Sequence, residues 1–314
     1  MRKGLLILIG LLVLVYMAVL LFIPERIDIT GFAIAKTSDN GTERFLLDTS
    51  KWNNWWNYTK PKADSSSQNG FTQNEDAYHL SNLYYKSADI QIQHHGQSLT
   101  SKLVIIPVTQ DSTGIEWKTS LQGGSNPYTR LVNYFEARKV KKNIDQVLFN
   151  ASTFLSSLEN VYGIHIERTT LKDTLFVSAK NILPANPDIH QVYELIKRIQ
   201  TYLSKKSLQQ AGNPIYNITQ LGNNQFQLMA AVPVNKRIPD ADGFSVKFMV
   251  KGSFMVTEVL GGDSTISKAS HNLEQYFQDF RRTSMAMNFT MLVTDRQLQP
   301  DSSKWITKLY QPVY

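Results

Sequence analysis

Three tryptophans lie close together in the stretch SKWNNWWNYT, at positions 52, 55 and 56. This i, i+3, i+4 spacing places the three side chains on one side of a helical turn. Large aromatic side chains with one polar N–H are typical of the wall of an apolar pocket, but aromatic residues are also common in cores. Both interpretations are open and compatible, with Trp52 facing inward and Trp56 at the mouth of a cavity.

The adjacent residues His94 and His95 are the next side chains with chemical potential. Successive side chains on a strand point to opposite faces, so the sequence predicts that the pair does not bind one metal ion. No further Asp, Glu or His has a convincing ligand spacing, and the chain has no cysteine. We therefore expect no metal and no cofactor. The G-x-S-x-G, G-x-G-x-x-G and P-loop motifs are also absent.

Glu258, in the stretch VTEVLGG, is the carboxylate of most interest in the second half of the chain. It shares a strand face with Val256, and on a cleft wall it would contact a cationic ligand or act as a general base. A solvent-facing position is the alternative. Several aromatic residues are further candidates for a cleft wall or for the core: Tyr193, Tyr216, Phe289, Trp305 and Tyr310.

The chain has 314 residues and a formal net charge of +7. Its Lys and Arg residues are scattered apart from the run RKVKK at 138–142. Nucleic-acid binding needs a clustered basic face, and this short run is typical of a solvated helix face. We therefore expect no nucleic-acid partner.

The N-terminal stretch from Leu5 to Ile23 carries no charged residue. A run of this length, at about 1.5 Å per helical residue, just spans a hydrocarbon core of about 30 Å. It is longer than the apolar region of a signal peptide and lacks a small-residue cleavage site. The prediction is an uncleaved transmembrane anchor at residues 1–25. Arg2 and Lys3 favour a cytoplasmic N-terminus and extracytoplasmic, periplasmic-side domains.

Residues 26–162 read as one antiparallel domain. A first strand at 26–38 is followed by two short helices and a polar loop at 60–70. Four strand-like runs follow up to residue 122, and after the break GGSNP comes a long helix at about 128–160. The order of SKWNNWW after the first strand, and of VTQDSTGIEWKTSL before the long helix, resembles the SRPBCC superfamily of START-type and polyketide-cyclase-like proteins. The resemblance implies a helix-grip domain with a cavity lined by Trp52, Trp55, Trp56 and Trp117.

Residues 163–314 contain an internal repeat. LFV at 175–177 corresponds to FMV at 254–256, and VPV at 232–234 corresponds to QPV at 311–313. The separation along the chain is the same for both pairs. Each copy has the order strand, helix, strand, strand, with Asp188 and either Asp263 or Ser264 as expected helix N-caps. Two such units pair naturally about a pseudo-twofold axis with a cleft between them.

The stretches AGNPIYNITQ, FMVTEVLGGDST, MNFTMLVTD and WITKLYQPVY resemble the GyrI-like effector-binding domain. The ending W-x-T-x-L-Y-x-P-V is the most specific part. The resemblance implies a cleft that takes hydrophobic, often cationic, small molecules between aromatic walls. Many members carry a cleft glutamate in an E-x-Y pattern; here Thr290 takes the place of the glutamate and Leu292 that of the tyrosine, which weakens the expectation of cation recognition.

The sequence thus predicts an α+β chain with a transmembrane helix, a helix-grip domain and a duplicated β-α-β-β domain. The predicted function is a membrane-anchored protein that binds or senses a hydrophobic small molecule. A hydrolase or cyclase-like enzyme using a cleft carboxylate or tyrosine is the alternative, and a sensory role would need an unidentified partner protein. The predicted ligand-binding residues are Trp52, Trp55, Trp56, Trp117, Tyr193, Tyr216, Glu258, Phe289, Thr290 and Trp305.

Overall fold

The structure is a computed structural model. It describes residues 2–57, 71–171, 174–222, 224–237, 239–240, 243–249, 252–284 and 286–313. The chain divides into two compact units, Met1–Val161 (unit 1) and Tyr162–Tyr314 (unit 2). The predicted polar loop at 60–70 lies outside the described residues.

Unit 1 has the predicted order of elements. Helix α1 and strand β1 come first, then two short helices, five strands, one long helix and a final helical turn. The elements are α1 (Arg2–Phe22), β1 (Arg26–Ala35), α2 (Asp39–Leu46), α3 (Trp52–Trp55), β2 (Phe71–Gln73), β3 (Asp76–Tyr84), β4 (Ser87–His94), β5 (Gln97–Thr109), β6 (Ser112–Gln122), α4 (Pro127–Leu155) and α5 (Leu158–Tyr162).

The six strands of unit 1 form one antiparallel sheet in the order β1-β6-β5-β4-β3-β2. Helix α4 starts at a side-chain cap from Asn126, with Pro127 in the first turn, and packs on β1 and β6. Gly31 permits this close approach, because a Cβ there would lie 2.7 Å from both Ile144 and Leu148 of α4. The sheet and the long helix predicted from the sequence are therefore both present.

Four tryptophans and Tyr78 fill the interior of unit 1. Trp52, Trp55 and Trp56 are each 1% exposed, and Trp117 is fully buried. The rings of Trp52 and Trp56 stack at 5.1 Å, Trp56 meets Tyr78 edge to face, and Tyr78 meets Trp117 in the same way. The expected position of Trp56 at a cavity mouth is wrong, because its side chain is enclosed by other aromatic rings.

Each of the clustered indoles donates its N–H to a backbone carbonyl. Trp52 donates to Leu46 at 2.9 Å, Trp55 to Phe45 at 3.0 Å and Trp56 to the strand residue Thr72 at 2.9 Å. These bonds satisfy the polar edge of each ring inside the core. They also tie α3 to the end of α2 and to β2, so the three indoles have a packing role.

Helix α1 carries large apolar side chains, most of them exposed, between Leu6 and Phe22. Its carboxyl end is held by Arg130 of α4, which donates to the carbonyl oxygens of Leu20 and Ile23, both at 3.1 Å. Arg130 also pairs with Glu25 at 2.7 Å. Across the described residues, no helix has both the length and the apolarity needed to cross a bilayer, so the predicted transmembrane helix is not found.

Unit 2 contains the predicted duplication of β-α-β-β. The first copy is β8-α6-β9-β10 and the second is β12-α7-β13-β14, and one further strand precedes each copy. The elements are β7 (Glu167–Thr170), β8 (Thr174–Leu183), α6 (Ile189–Lys205), β9 (Ile215–Gly222), β10 (Gln225–Val234), β11 (Ser245–Met249), β12 (Ser253–Leu260), α7 (Asp263–Asp279), β13 (Phe289–Leu292) and β14 (Ile306–Val313).

The eight strands of unit 2 form a second antiparallel sheet in the order β11-β8-β10-β9-β13-β14-β12-β7. The two copies meet at its centre, where β9 pairs with β13 through Thr290 opposite Tyr216 and Met291 opposite Ile215. The extra strands exchange sides: β7 pairs with β12 of the second copy, and β11 pairs with β8 of the first. The pairing is therefore symmetric about the β9–β13 contact.

Replacing Trp52 by Ala will destabilise unit 1 by about 3–5 kcal/mol, because it opens a cavity among the rings and leaves the carbonyl of Leu46 without its donor. Denaturant unfolding followed by the remaining tryptophan emission measures this loss. Phe149→Ala, at a side chain that is 56% exposed, is the control and will change stability by no more than about 0.5 kcal/mol. Equal effects of the two substitutions would contradict the packing role of Trp52.

Candidate functional site

The central strands of unit 2 present two different faces. Side chains of β8, β10 and β13 on the first face pack with α6, and we call this the helix face. Alternate residues of the same strands form an aromatic cluster on the second face, which we call the open face. Because side chains alternate along a strand, Thr290 belongs to the helix face and its neighbour Phe289 to the open face.

Arg296, in the segment between β13 and β14, is at the centre of the contacts on the helix face. Its side chain is only 4% exposed and pairs with Asp263 at the start of α7, with 2.7 Å between Nη1 and Oδ1. Its Nη2 donates to Thr307 Oγ1 of β14 at 3.1 Å, and its guanidinium lies 4.6 Å from the ring centroid of Trp305. One guanidinium thus holds a helix start, a strand and an indole together.

Two tyrosines lie around the same arginine. The hydroxyl of Tyr193 in α6 accepts a hydrogen bond from the backbone N–H of Arg296 at 2.8 Å. Burial raises the pKa of Tyr216, while the positive charge of Arg296 and a hydrogen bond with Thr290 act in the opposite direction. Burial likewise raises the pKa of Tyr193. Both tyrosines are therefore neutral at physiological pH and act as hydrogen-bonding groups.

The Arg296 cluster changes one expectation from the sequence and agrees with another. Asp263 does not cap α7, because the N-cap is Gly262 without a side-chain bond and the Asp263 carboxylate binds Arg296. A cationic ligand at this point would also meet a fixed buried positive charge, where the resemblance implies a glutamate in many relatives. Asp188, in contrast, caps α6 as predicted, in a capping box with Gln191.

The open face carries an apolar pocket that we call the inner pocket. Phe254, Phe289 and Tyr310 form the aromatic floor beside it, with Phe289 and Tyr310 stacked at 4.6 Å. The inner pocket has a volume of about 110 Å³ and is lined by Ile215, Tyr216, Asn217, Met229, Ala231, Met249, Met287, Asn288 and Phe289. Its polar end is fixed, because the Asn217 amide donates to the backbone and side-chain oxygens of Asn288 at 2.8 and 2.9 Å.

The structure separates the predicted site residues into groups. Tyr193 and Trp305 contact Arg296, and Tyr216, which is hydrogen-bonded with Thr290, lies within its electrostatic influence. The sequence did not point to Arg296, because a single arginine between two strands carries no pattern. Tyr216 and Phe289 line the inner pocket. Trp52, Trp55, Trp56 and Trp117 lie in the core of unit 1, so the ten residues do not form one site.

Glu258 lies on the open face but lines neither the inner pocket nor the Arg296 cluster. Its side chain is 56% exposed and pairs with Lys308 at 3.0 Å. A carboxylate that is solvated and already paired lacks the enclosed setting of a general base. The geometry therefore gives no catalytic role to Glu258.

The prediction for His94 and His95 is wrong in its geometry. Strand β4 ends at His94, and His95 has a positive φ of 45°, so the strand rule of opposite faces does not apply to the pair. The two rings lie 4.5 Å apart, and Glu136 of α4 converges on them to give three donor atoms that could hold a metal ion. No sequence spacing connects residues 94 and 95 with residue 136.

No family model matches the chain, and no curated protein matches it. Among solved structures, the crystal structure of the EcmrR C-terminal domain is similar, with a TM-score of 0.42 and 15% identity over 48% of this chain and 98% of that one. The cryo-EM structure of an EcmrR–DNA complex is similar with a TM-score of 0.44 and 14% identity. The match covers 59% of this chain and 71% of that one. The structure of SAV2435 bound to tetraphenylphosphonium is similar with a TM-score of 0.36 and 16% identity. The match covers 48% of this chain and 94% of that one.

Replacing Arg296 by Met will lower the stability of unit 2 by about 1–3 kcal/mol, because it removes several buried hydrogen bonds. The loss stays moderate because Asp263, whose side chain is 70% exposed, returns to water. Hydrogen exchange measured by mass spectrometry will show faster exchange at the start of α7 and in β14. Arg237→Met, which removes an arginine stacked on Phe248, is the control and will leave exchange in those elements unchanged.

Proposed function

We propose that unit 2 binds a small apolar molecule in the inner pocket. The observation that carries this proposal is the composition of the lining, which combines three methionines and two aromatic residues with a fixed amide pair at one end. An apolar concave surface with a few placed polar groups is the usual form of a small-molecule site. Methionine side chains adapt to ligands of different shape.

The proposal includes a GyrI-like effector-binding identity for unit 2. The duplicated β-α-β-β order and the central β9–β13 pairing support it. The motif W-x-T-x-L-Y-x-P-V also has a physical meaning in the structure. Trp305 and Thr307 hold Arg296, while Tyr310 stacks under Phe289 beside the inner pocket.

The ligand class follows from the charge and size of the pocket. None of the described lining residues is acidic or basic, so a neutral ligand is favoured over a cation. A volume of about 110 Å³ is slightly below that of an apolar cavity of about 150 Å³ known to hold benzene. A single aromatic ring therefore fits once the methionine side chains adjust, and a larger ligand needs them to move further.

The test is a titration of the full chain with fluorobenzene, followed by fluorine NMR line width. We expect saturable broadening with wild type and at least tenfold weaker binding with Ala231→Leu, because the added side chain occupies the pocket. A fluorinated phenyltrimethylammonium ion will bind more weakly than fluorinated tert-butylbenzene, which has the same shape without the charge.

Gln227→Leu is the matched control, because Gln227 lies on the same strand face four residues from Ala231 but outside the pocket lining. It will bind fluorobenzene like wild type. Absence of saturable broadening, or equal weakening by both leucine substitutions, would remove the inner pocket as the ligand site.

For unit 1 we propose the helix-grip arrangement of the SRPBCC superfamily. The meander of β2 to β6, with β1 paired to the last strand and α4 across it, supports this identity. The interior that a ligand would take in such a fold holds Trp52, Trp55, Trp56 and Trp117, all at most 1% exposed. We therefore assign small-molecule binding to unit 2.

We also propose that α1 attaches the protein to a membrane, with the two units on the extracytoplasmic side. The exposed apolar side chains of α1 support the attachment, and the positive charges of Arg2 and Lys3 favour the extracytoplasmic side for the two units. In a flotation assay with lipid vesicles, the full chain will float and a variant without residues 2–22 will stay in the dense fraction. Equal flotation of both proteins would contradict attachment by α1.

A further inference from the structure

Three side chains of unit 1 bring their donor atoms together at the end of β4. Glu136 Oε2 lies 3.1 Å from His94 Nε2 and 3.5 Å from His95 Nε2, and all three atoms lie within 4.8 Å of one another. Two ligand atoms bound tetrahedrally to Zn²⁺ at about 2.0–2.1 Å are separated by about 3.3 Å. The two measured separations bracket that value.

Asp76 fixes the orientation of His94. Its Oδ1 lies 2.5 Å from His94 Nδ1, and its Oδ2 accepts from the Asn143 amide at 2.7 Å and from the Tyr78 hydroxyl at 3.4 Å. Asp76 is fully buried, and a buried carboxylate needs such donors. With the Nδ1–H directed at Asp76, the other ring nitrogen of His94 points its lone pair at Glu136. A carboxylate behind a ligating histidine is the usual support of a metal-bound imidazole.

The contacts around the cluster favour a positive charge between the ligand atoms, either a second ring proton or a metal ion. A lone pair on His94 Nε2 at 3.1 Å from a carboxylate oxygen is repulsive unless a second ring proton or a metal ion lies between them. His95 Nε2 faces two carboxylates, Glu136 and Glu75, the latter at 3.1 Å. Lys139 binds the other oxygen of Glu136, Oε1, at 2.9 Å, so Oε2 stays directed at the imidazoles.

A cavity of about 290 Å³ adjoins the cluster and gives access to it. Its lining includes Asp76 and His94 together with Glu75, Lys139 and Lys142. The His95 side chain is 48% exposed and that of Glu136 23%, so an ion can enter from solvent.

We propose that unit 1 binds one divalent transition-metal ion, of the Zn²⁺ type, through His94 Nε2, His95 Nε2 and Glu136 Oε2. Asp76 is a positioning residue that orients His94. Two imidazoles and one carboxylate are a known ligand set of Zn²⁺ sites that keep an open coordination position.

The test uses Co²⁺ as the probe, because tetrahedral cobalt absorbs visible light. Titration of the metal-free full chain at neutral pH will give visible bands that saturate at one equivalent and disappear when Zn²⁺ is added. His95→Ala will weaken Co²⁺ binding by at least a hundredfold. Asp76→Asn will weaken it by about 10–100-fold, the usual effect of losing an outer-shell partner.

His165→Ala is the matched control. His165 is an exposed histidine paired with Glu167 at 2.8 Å, outside the three-donor group, and its loss will leave the titration unchanged. His95 is half exposed, so its substitution preserves the fold, and circular dichroism checks this for every variant. The proposal is overturned if wild type gives no saturable visible bands, or if His95→Ala and His165→Ala give the same titration. If the stability of the protein varies with pH but the protein binds no Co²⁺, the histidine cluster binds a proton and not a metal ion. That result also overturns the proposal.

Discussion

The guanidinium of Arg296 is the constraint on which the arrangement of unit 2 depends. A buried charge needs polar partners, and Arg296 donates from Nη1 to Asp263 at the start of α7 and from Nη2 to Thr307 in β14. Its face lies against Trp305, and its backbone N–H fixes Tyr193 of the other repeat. A side chain from the second copy thus orders both copies around the β9–β13 pairing, and the same positive charge disfavours a cationic ligand on the helix face.

The helix face holds the Arg296 cluster, and the open face carries the apolar pocket that we propose as the ligand site. The strand alternation that sends Thr290 and Tyr216 toward Arg296 sends Phe289 and Ile215 to the opposite side. There the aromatic floor and the flexible methionines form the inner pocket. The two faces therefore differ in character. The helix face holds the repeats together through the polar contacts of Arg296, and the open face is apolar and adaptable.

The constraint in unit 1 is different. Its six-stranded sheet encloses large indole rings, and the N–H group of each indole needs a hydrogen-bond acceptor inside the core. The indole N–H groups of Trp52, Trp55 and Trp56 bind backbone carbonyls, and Trp117 binds Ser101 at 2.8 Å. At one end of the sheet, the buried residues Asp76, His94 and Asn143 form a connected hydrogen-bond network. Tyr78 connects the two regions, because its ring packs on Trp56 and Trp117 and its hydroxyl donates to Asp76 of the polar network.

The sequence by itself determined most of the elements and their order, while β2, β7 and β11 were not predicted. Period-two and helical patterns gave the strands and helices of both units, and the repeated LFV and VPV motifs gave the duplication, because such patterns depend on local geometry and on which face is buried. Only the tertiary structure decided which side chains meet. Arg296 reaches Asp263, and Glu136 reaches His94 and His95, across long stretches of chain with no periodic relation. The His94–His95 pair also depends on one positive φ at a turn, which side-chain alternation cannot foresee. The sequence also left the burial of the tryptophans undecided, because the same i, i+3, i+4 spacing is found in a pocket wall and in a core. The packing of the sheet around them decides for the core.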